Sequence, residues 1–402
     1  MTIAKGVNKK IGFKKESTWG TLAGASGAQI LRRVTANFNL KKETYESNEI
    51  RTDYQVADMR HGIRSAEGSL SGELSPKTYS SFMASVVARD FTTAGSATGL
   101  SVTIATSGSL FTVTRSAGSW LTDGFYVGNI VRLTGAGLNL ANQSNNMLVV
   151  SMTAIVLTVR VLSNTALVAE GPIATVTATA VGKQTYAPST GHTDDSYTIE
   201  EWYSDIAQSE VYTGIKIGSM AVKMPATGLV TVDFNMQGKN LDTTGTSQYF
   251  SSPTAAGTEG IFAAVNGAVV VNGIPVAVIT SADFTVDRGI EAANVLGSNY
   301  SADMFTGRIR LTGNISTYFQ DGTFRDYFNN ESVISLVFAL VTGTGKTADA
   351  VAFSIPKVKI GSNTRDDKEN GITSTHTFTA LLNDVTTGGL APTTILIQDT
   401  LA

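Results

Sequence analysis

Strict alternation of apolar and polar residues dominates the chain. In Val230-Thr-Val-Asp-Phe-Asn-Met236, Val230, Val232, Phe234 and Met236 share one face, and Thr231, Asp233 and Asn235 share the other. This two-residue period is that of a half-buried strand. The same pattern predicts strands over 34–42, 66–74, 213–224, 265–271, 275–286, 305–315 and 351–360, with Gly, Asn, Asp and Ser between them. Two stretches break the alternation. Residues 75–89 set Tyr79, Phe82, Met83, Val86 and Val87 on one helical stripe, with Ser75 as the expected cap and Pro76 at the first helical position. Residues 321–330 predict a shorter helix. The fold class expected is mainly β with two short helices.

The two helices expose an internal repeat. Each follows a strand: Gly68-Ser-Leu70-Ser-Gly72-Glu-Leu74 in one case, Arg308-Ile309-Arg-Leu311-Thr-Gly313-Asn-Ile315 in the other. Upstream, Ala36-Asn-Phe38-Asn-Leu40 parallels Ala282-Asp-Phe284-Thr-Val286. The spacing is 246 at Phe38/Phe284, 241 at Gly72/Gly313 and 245 at Tyr79/Phe324. Downstream, the segment ending at Phe234 is matched to the one ending at Phe378. The first copy is the longer because residues 93–186 interrupt it with short strands around 111–114, 126–132, 147–150, 155–160 and 174–179. Strands so spaced predict a small barrel or sandwich, inserted at a loop where insertions are tolerated. The expected division is 1–92 with 187–250, the insert 93–186, and 251–402.

Composition narrows the class. The 402 residues are 42% hydrophobic and only 16% charged, with net charge -3. This permits an ordinary core and offers no basic excess of the kind that marks nucleic-acid binders. Cysteine is absent, which removes disulfides, thiolate nucleophiles and thiolate-ligated zinc. The first ten residues lack the apolar stretch of a signal peptide, and no run of 18 apolar residues occurs.

Few residues suggest chemistry. Gly343-Thr-Gly345-Lys346-Thr347 ends like a phosphate-binding loop, but Leu340 stands where the first glycine belongs and a strand follows. It reads as a hairpin turn. His61, His192 and His376 form no i,i+4 pair, and no Gly-x-Ser-x-Gly elbow occurs. The carboxylate groups Glu43/Glu46/Glu49, Asp194/Asp195 and Glu200/Glu201 read as solvated faces rather than as a facing catalytic pair. The stretch 366–371, Asp-Asp-Lys-Glu-Asn-Gly, lacks the alternating ligand order of a calcium loop and reads as a charged hairpin tip. No catalytic residue, cofactor or metal is expected. The least ordinary segment is 41–64, long and polar between two strands, with a counterpart at 288–306. Long loops in matching positions point to a contact role.

Gly12-Phe-Lys-Lys-Glu16-Ser-Thr-Trp19-Gly20-Thr21 resembles the opening of tail tube proteins from bacteriophages with long, non-contractile tails. Glu46-Ser-Asn-Glu49-Ile50-Arg51 and Gly68-x-x-x-Gly72-Glu73-Leu74-Ser-Pro before a helix are similar to the same family, over 1–92 and 187–402. The insert resembles accessory domains on the outside of some such tubes. The resemblance implies two tandem β-sandwich domains, each with a flanking helix. It further implies rings whose inner sheets join around a lumen. Two fused copies imply a homotrimeric, pseudo-sixfold ring; without a true repeat the resemblance implies a homohexamer. Expected partners are other copies of the chain, a tape measure protein in the lumen, tail-tip and terminator proteins, and DNA in transit, with no membrane insertion. Synthesis in the bacterial host cytoplasm and residence in the virion follow.

On this resemblance the inter-ring contacts fall to Glu43, Glu46, Glu49, Arg51, Asp53, Tyr54, Arg60 and Arg64, and to Asn294, Tyr300 and Asp303. The lumen face falls to Asn37, Asn39, Glu67, Ser69, Ser71, Glu73, Thr231, Asp233 and Asn235, then Asp283, Thr285, Asp287, Arg308, Arg310, Thr312 and Asn314. A mixed, mildly acidic wall suits a conduit, because a lysine-rich one would retain phosphates. A secreted adhesin or surface-layer protein would share the β content, but should carry a signal peptide or many short repeats.

Overall fold

A computed structural model describes residues 3–402 except 368, 370 and 386. In chain order, β1 (Lys9–Lys15), β2 (Gln29–Ile30), β3 (Thr35–Glu46) and β4 (Met59–Glu73) precede helix α1 (Ser80–Val87) and β5 (Thr92–Thr93). The insert holds β6 (Ser96–Ser107), β7 (Leu110–Arg115), β8 (Ile130–Thr134), β9 (Met147–Met152), β10 (Val156–Val161) and β11 (Glu170–Ala180). Then come β12 (Lys183–Tyr186), β13 (Tyr197–Tyr203), β14 (Gln208–Met224), β15 (Thr231–Gly238) and β16 (Asn240–Gly245). The last part contains β17 (Ala268–Val271), β18 (Ile274–Pro275), β19 (Ile279–Asp287), β20 (Ile290–Ala293), β21 (Asp303–Thr306) and β22 (Arg310–Tyr318). Helix α2 (Thr323–Asn329) leads to β23 (Ile334–Val341), β24 (Ala350–Arg365), β25 (Thr373–Ala380) and β26 (Leu396–Asp399).

Strands β14 and β24 are long enough to serve two layers each. The first half of β14 pairs with β13 and β16, and its second half with β15 and β19. The first half of β24 pairs with β23 and β26, and its second half with β25. Each carries a bulge, the device that bends a strand, just past the point where its partners change. The two bulges fall at Gly218 and Gly361, inside identical tetrapeptides, Lys216-Ile-Gly-Ser219 and Lys359-Ile-Gly-Ser362. Strand order therefore repeats: β3-β4-β15-β14, then β19-β22-β25-β24.

Register corrects the residue alignment of the repeat. Phe38 lies opposite Gly68, and Phe284 opposite Gly313, so Gly68, not Gly72, corresponds to Gly313. A β-carbon on Gly68 would clash with the Phe38 ring. Phe234 lies opposite Leu70 and His376 opposite Ile315. Phe234 thus corresponds to His376, two positions from the sequence match. Apolar alternation alone leaves such two-residue slips open, because they keep every side chain on its face.

Helix α1 starts at Ser80, four residues after the expected first position at Pro76. Ser75 and Thr78 share a hydroxyl hydrogen bond of 2.7 Å, and Lys77 takes a positive φ of 65°. The chain turns through 75–79 before Ser80. From there Phe82, Met83, Val86 and Val87 are buried. Phe82 meets Phe13, Tyr197 and Phe234 at ring separations of 5.0, 5.3 and 5.5 Å. Helix α2 has no buried residue.

The insert is a closed barrel, ordered β10-β7-β6-β11-β8-β9. Its ends lie side by side, with Lys183 opposite Thr93. It docks on β23 of the second half. Val337, Ala339 and Val341 of β23 join the barrel core, while Leu336, Phe338 and Leu340 join the main core. Covering on both faces explains why Ile334–Val341 is an unbroken buried run. Gln398 fixes the junction: its Oε1 accepts from the Ile130 N–H at 2.7 Å and its Nε2 donates to the Ile130 carbonyl at 3.0 Å. The 343–347 segment does join β23 to β24, and Lys346 Nζ donates to the Gln143 carbonyl of the barrel at 2.9 Å.

The solvated reading of Glu200/Glu201 is overturned. Both are buried. Glu200 accepts from Ser209 Oγ at 2.6 Å and from the Phe250 N–H at 3.0 Å, and Glu201 pairs with Lys9 at 2.6 Å. Neighbours on a strand point to opposite faces, so both are buried only where both faces of β13 are covered. Burial raises the Glu201 carboxyl above its ordinary range, with the Lys9 ammonium opposing. Asp195 is also buried and pairs with Lys15 at 2.8 Å. Of the 366–371 tip, Lys368 and Asn370 lie outside the described residues.

Candidate functional site

The pairing of β14 with β19 fuses the two four-strand units into one eight-stranded antiparallel sheet, with β3 at one edge and the second half of β24 at the other. One face is core: Phe38, Leu70, Phe234, Met220, Val222, Phe284, Ile315 and Phe378 are buried on it. The opposite face is polar and open.

That open face carries nearly all the sequence-derived lumen candidates. Asn37 and Asn39 stand on β3, Glu67, Ser69, Ser71 and Glu73 on β4, and Thr231, Asp233 and Asn235 on β15. Asp283, Thr285 and Asp287 follow on β19, and Arg310, Thr312 and Asn314 on β22. Registry joins them in rows: Asn37 opposite Ser69, Ser69 opposite Asn235, Ser71 opposite Asp233, Asp283 opposite Asn314. Arg308 departs from the set. It precedes β22 and lines a recess with Ala88, His192 and Arg288.

Sequence reasoning missed two lysines of the face and the threonines of β25. Lys41 lies 3.0 Å from Glu67, and Lys223 2.8 Å from Asp233. Burial resists ionisation of Asp233, but the Lys223 ammonium and the Ser71 hydroxyl outweigh it and hold the carboxyl below its ordinary range. Thr375, Thr377 and Thr379 of β25 extend the face, opposite Ser316, Asn314 and Thr312. Their alternation in Thr373-Ser-Thr-His-Thr-Phe-Thr379 was a readable signal. The face is mixed in charge, with its lysines held by its carboxylates.

The two long loops differ. Strand pairing extends to Glu46 and Met59, so the first segment is a hairpin with only 47–58 outside the ladder, not a loop over 41–64. Glu43, Glu46, Glu49, Arg51, Asp53, Tyr54 and Arg60 are all exposed. Arg51 pairs with Asp53 at 2.8 Å and Arg60 with Asp58 at 2.7 Å, both local contacts. Tyr54 is 98% exposed. The second segment is held by its own chain. The Arg64 guanidinium sits 4.3 Å from the Tyr300 ring centroid, and the Arg64 N–H donates to the Asn299 carbonyl at 3.0 Å. Asn294 accepts from Ser301 Oγ at 2.9 Å, and Asp303 lies 4.0 Å from the buried Lys216. The structure thus brings Arg64 and Tyr300 together and leaves the 47–58 tip projecting.

The N-terminal motif has a packing role. Glu16 accepts from the N–H groups of Gly20 and Gly214 at 2.9 and 2.8 Å, and from the hydroxyls of Ser196 and Thr198 at 2.7 and 2.9 Å. Trp19 Nε1 donates to the Gly214 carbonyl at 3.0 Å. These bonds tie the chain start to β13 and β14.

A family model described as phage tail tube protein matches residues 6–380. The chain belongs to the phage tail tube protein family. The match covers the eight-stranded sheet, the inserted barrel and both helices. Membership makes this a structural subunit of a tail tube, in a family that is not one of enzymes. No curated protein matches the sequence. No helix among the described residues is long and apolar enough to cross a membrane.

Proposed function

We propose that the chain forms rings that stack into the tube of a long, non-contractile phage tail, and that the polar face of the eight-stranded sheet lines its lumen. The observation that carries this reading is the sheet itself: two like four-strand units, one polar face, and two open edges. Open edges are a hazard for a free protein and an asset for one that closes a barrel with its neighbours. Residues 1–92 with 187–250 act as one unit, 251–402 as the second, and 93–186 as an accessory domain on the outside. Three copies then supply six similar units per ring. The 47–58 hairpin tip reaches the next ring. The lumen holds a tape measure protein before ejection and conducts DNA afterwards. Lysines paired with carboxylates leave few free cations to hold phosphates, which supports passage rather than binding. Tail-tip and terminator proteins close the two ends of the tube.

Electron microscopy of concentrated protein tests the reading. Hollow tubes with threefold symmetry and six similar lobes are expected. Sixfold rings of two-unit chains would overturn the stoichiometry. A chain that stays monomeric with tail-tip components present would overturn the tube itself.

A further inference from the structure

The contact that joins the two halves inside one chain is present at the chain's two ends as separated halves. Inside the chain, Lys216 is buried. Its Nζ lies 2.6 Å from an Asp194 carboxylate oxygen, donates to the Met304 carbonyl at 2.8 Å and lies 4.0 Å from Asp303. Arg288, also buried, lies 3.8 Å from the other Asp194 oxygen and donates to the Ser85 carbonyl in α1 at 2.8 Å. The first half supplies Lys216 and Asp194, and the second supplies Arg288, Asp303 and Met304.

Each member has a counterpart fixed by sequence and register. Lys216 and Lys359 open the identical tetrapeptides. Tyr197 pairs with Ile215 and Ile334 with Val358, so Asp194 and Glu331 each stand three residues before matching positions. Lys359 and Glu331 already pair at 3.1 Å. Asp303 and Met304 lie in Ala302-Asp-Met-Phe-Thr-Gly307, repeated as Ala57-Asp-Met-Arg-His-Gly62. Arg288 falls four residues after Phe284, as Lys42 does after Phe38.

The counterparts sit towards opposite ends of the sheet and are open: Lys42 on edge strand β3 with Asp58 and Met59 on its hairpin partner, and Lys359 on edge strand β24 with Glu331 beside it. Met304 is 2% exposed, but Met59 is 50% exposed. The Lys216 side chain is 1% exposed and that of Lys359 41%. Charges match across the two edges, with Lys359 against Asp58 and Glu331 against Lys42. Helix α1 packs on both β14 and β19, whereas α2 packs on β24, where the sheet ends.

We infer that a second copy of this chain docks by repeating the internal junction. β24 of one copy adds antiparallel to β3 of the next, with Thr364 opposite Asn39 as Ala221 is opposite Thr285. Lys359 is then buried against the Met59 carbonyl and the Asp58 carboxylate of the neighbour, and Lys42 of the neighbour faces Glu331. The inference rests on the tube reading and adds to it the register and the ion pairs of the contact. Burial of such a pair selects the partner and the register more than it adds affinity.

The absence of cysteine allows a direct test. Two double variants are made in the full chain: Ala221→Cys with Thr285→Cys as an internal control, and Thr364→Cys with Asn39→Cys. Both are assembled and oxidised. The control should close within one chain. The second pair should link chains into covalent rings that stop at the ring's own copy number. In parallel, Lys359→Glu should raise the concentration needed for assembly by roughly tenfold or more, and Asp58→Lys in the same chain should restore it. Tubes in which the control closes but Thr364 and Asn39 do not would overturn the junction and leave the tube reading standing. Assembly of Lys359→Glu at the wild-type concentration would overturn the ion pair. Failure of the wild-type chain to form rings or tubes under any condition would overturn both readings.

Discussion

Replacing Phe82 by alanine tests which of the two helices is built into the core. Phe82 has no exposed surface and meets three aromatic rings, from β1, β13 and β15. Removing a buried phenylalanine costs about 3–5 kcal/mol, because the lost transfer energy adds to an unfilled cavity. Three aromatic neighbours on separate strands cannot all close in, which places Phe82→Ala at about 4 kcal/mol. The matching residue in α2 is Tyr327, only partly buried, on a helix with no buried residue. Half the burial energy of an aromatic side chain sets Tyr327→Ala at about 1 kcal/mol. Urea unfolding of the unassembled chain, followed by circular dichroism, measures both. A Phe82→Ala loss below about 1.5 kcal/mol, or equal losses for the two variants, would refute the asymmetry argued from burial.

Four further expectations follow from named contacts. Glu16→Ala strands two N–H groups and two hydroxyls around a buried site, so thermal or urea unfolding should show a loss of about 3 kcal/mol or more, with Glu16→Gln milder. His376 is stacked on Phe324 at 4.7 Å, its Nδ1 has no partner among the described residues, and burial, helped by Arg365, pushes its pKa down. The unfolded chain then binds the proton more tightly, so stability should fall as pH drops through about 6.5 and below; His376→Phe, copying Phe234, should flatten that slope in unfolding curves taken at several pH values. Replacing Glu67, Glu73, Asp233 and Asp283 by lysine should slow DNA ejection, and unchanged ejection kinetics would remove these side chains from the lumen. Replacing 48–57 by a short turn should leave a folded chain, by circular dichroism, that forms no long tubes in electron micrographs.

Alternation along the sequence determined the β class, many of the strands and the polar face, because a period of two assigns each side chain to a face without reference to its partners. Asn37, Glu67, Asp233 and Asp283 were placed in this way. The single strand expected over 305–315 is instead two, β21 and β22, broken at 307–309 and paired in different sheets. The repeated strand order left a trace too, since two like units keep a near-constant offset along the chain. The alignment within the repeat was not legible. Gly72 and Phe378 stood where Gly68 and His376 belong, as a shift of two or four residues preserves every face and only hydrogen-bond register forbids it. Burial of charge was equally hidden: Glu200 and Glu201 read as solvated until both faces of β13 were covered. The run Ile334–Val341 needed the barrel on one side and the main core on the other to make sense. Tertiary structure alone decided which loop is held and which projects. Lys216 and Arg64 grip the 288–306 segment from its own chain, while 47–58 has no such neighbour among the described residues. Local pattern records the face a residue turns to, and only the assembled layers determine what lies against it.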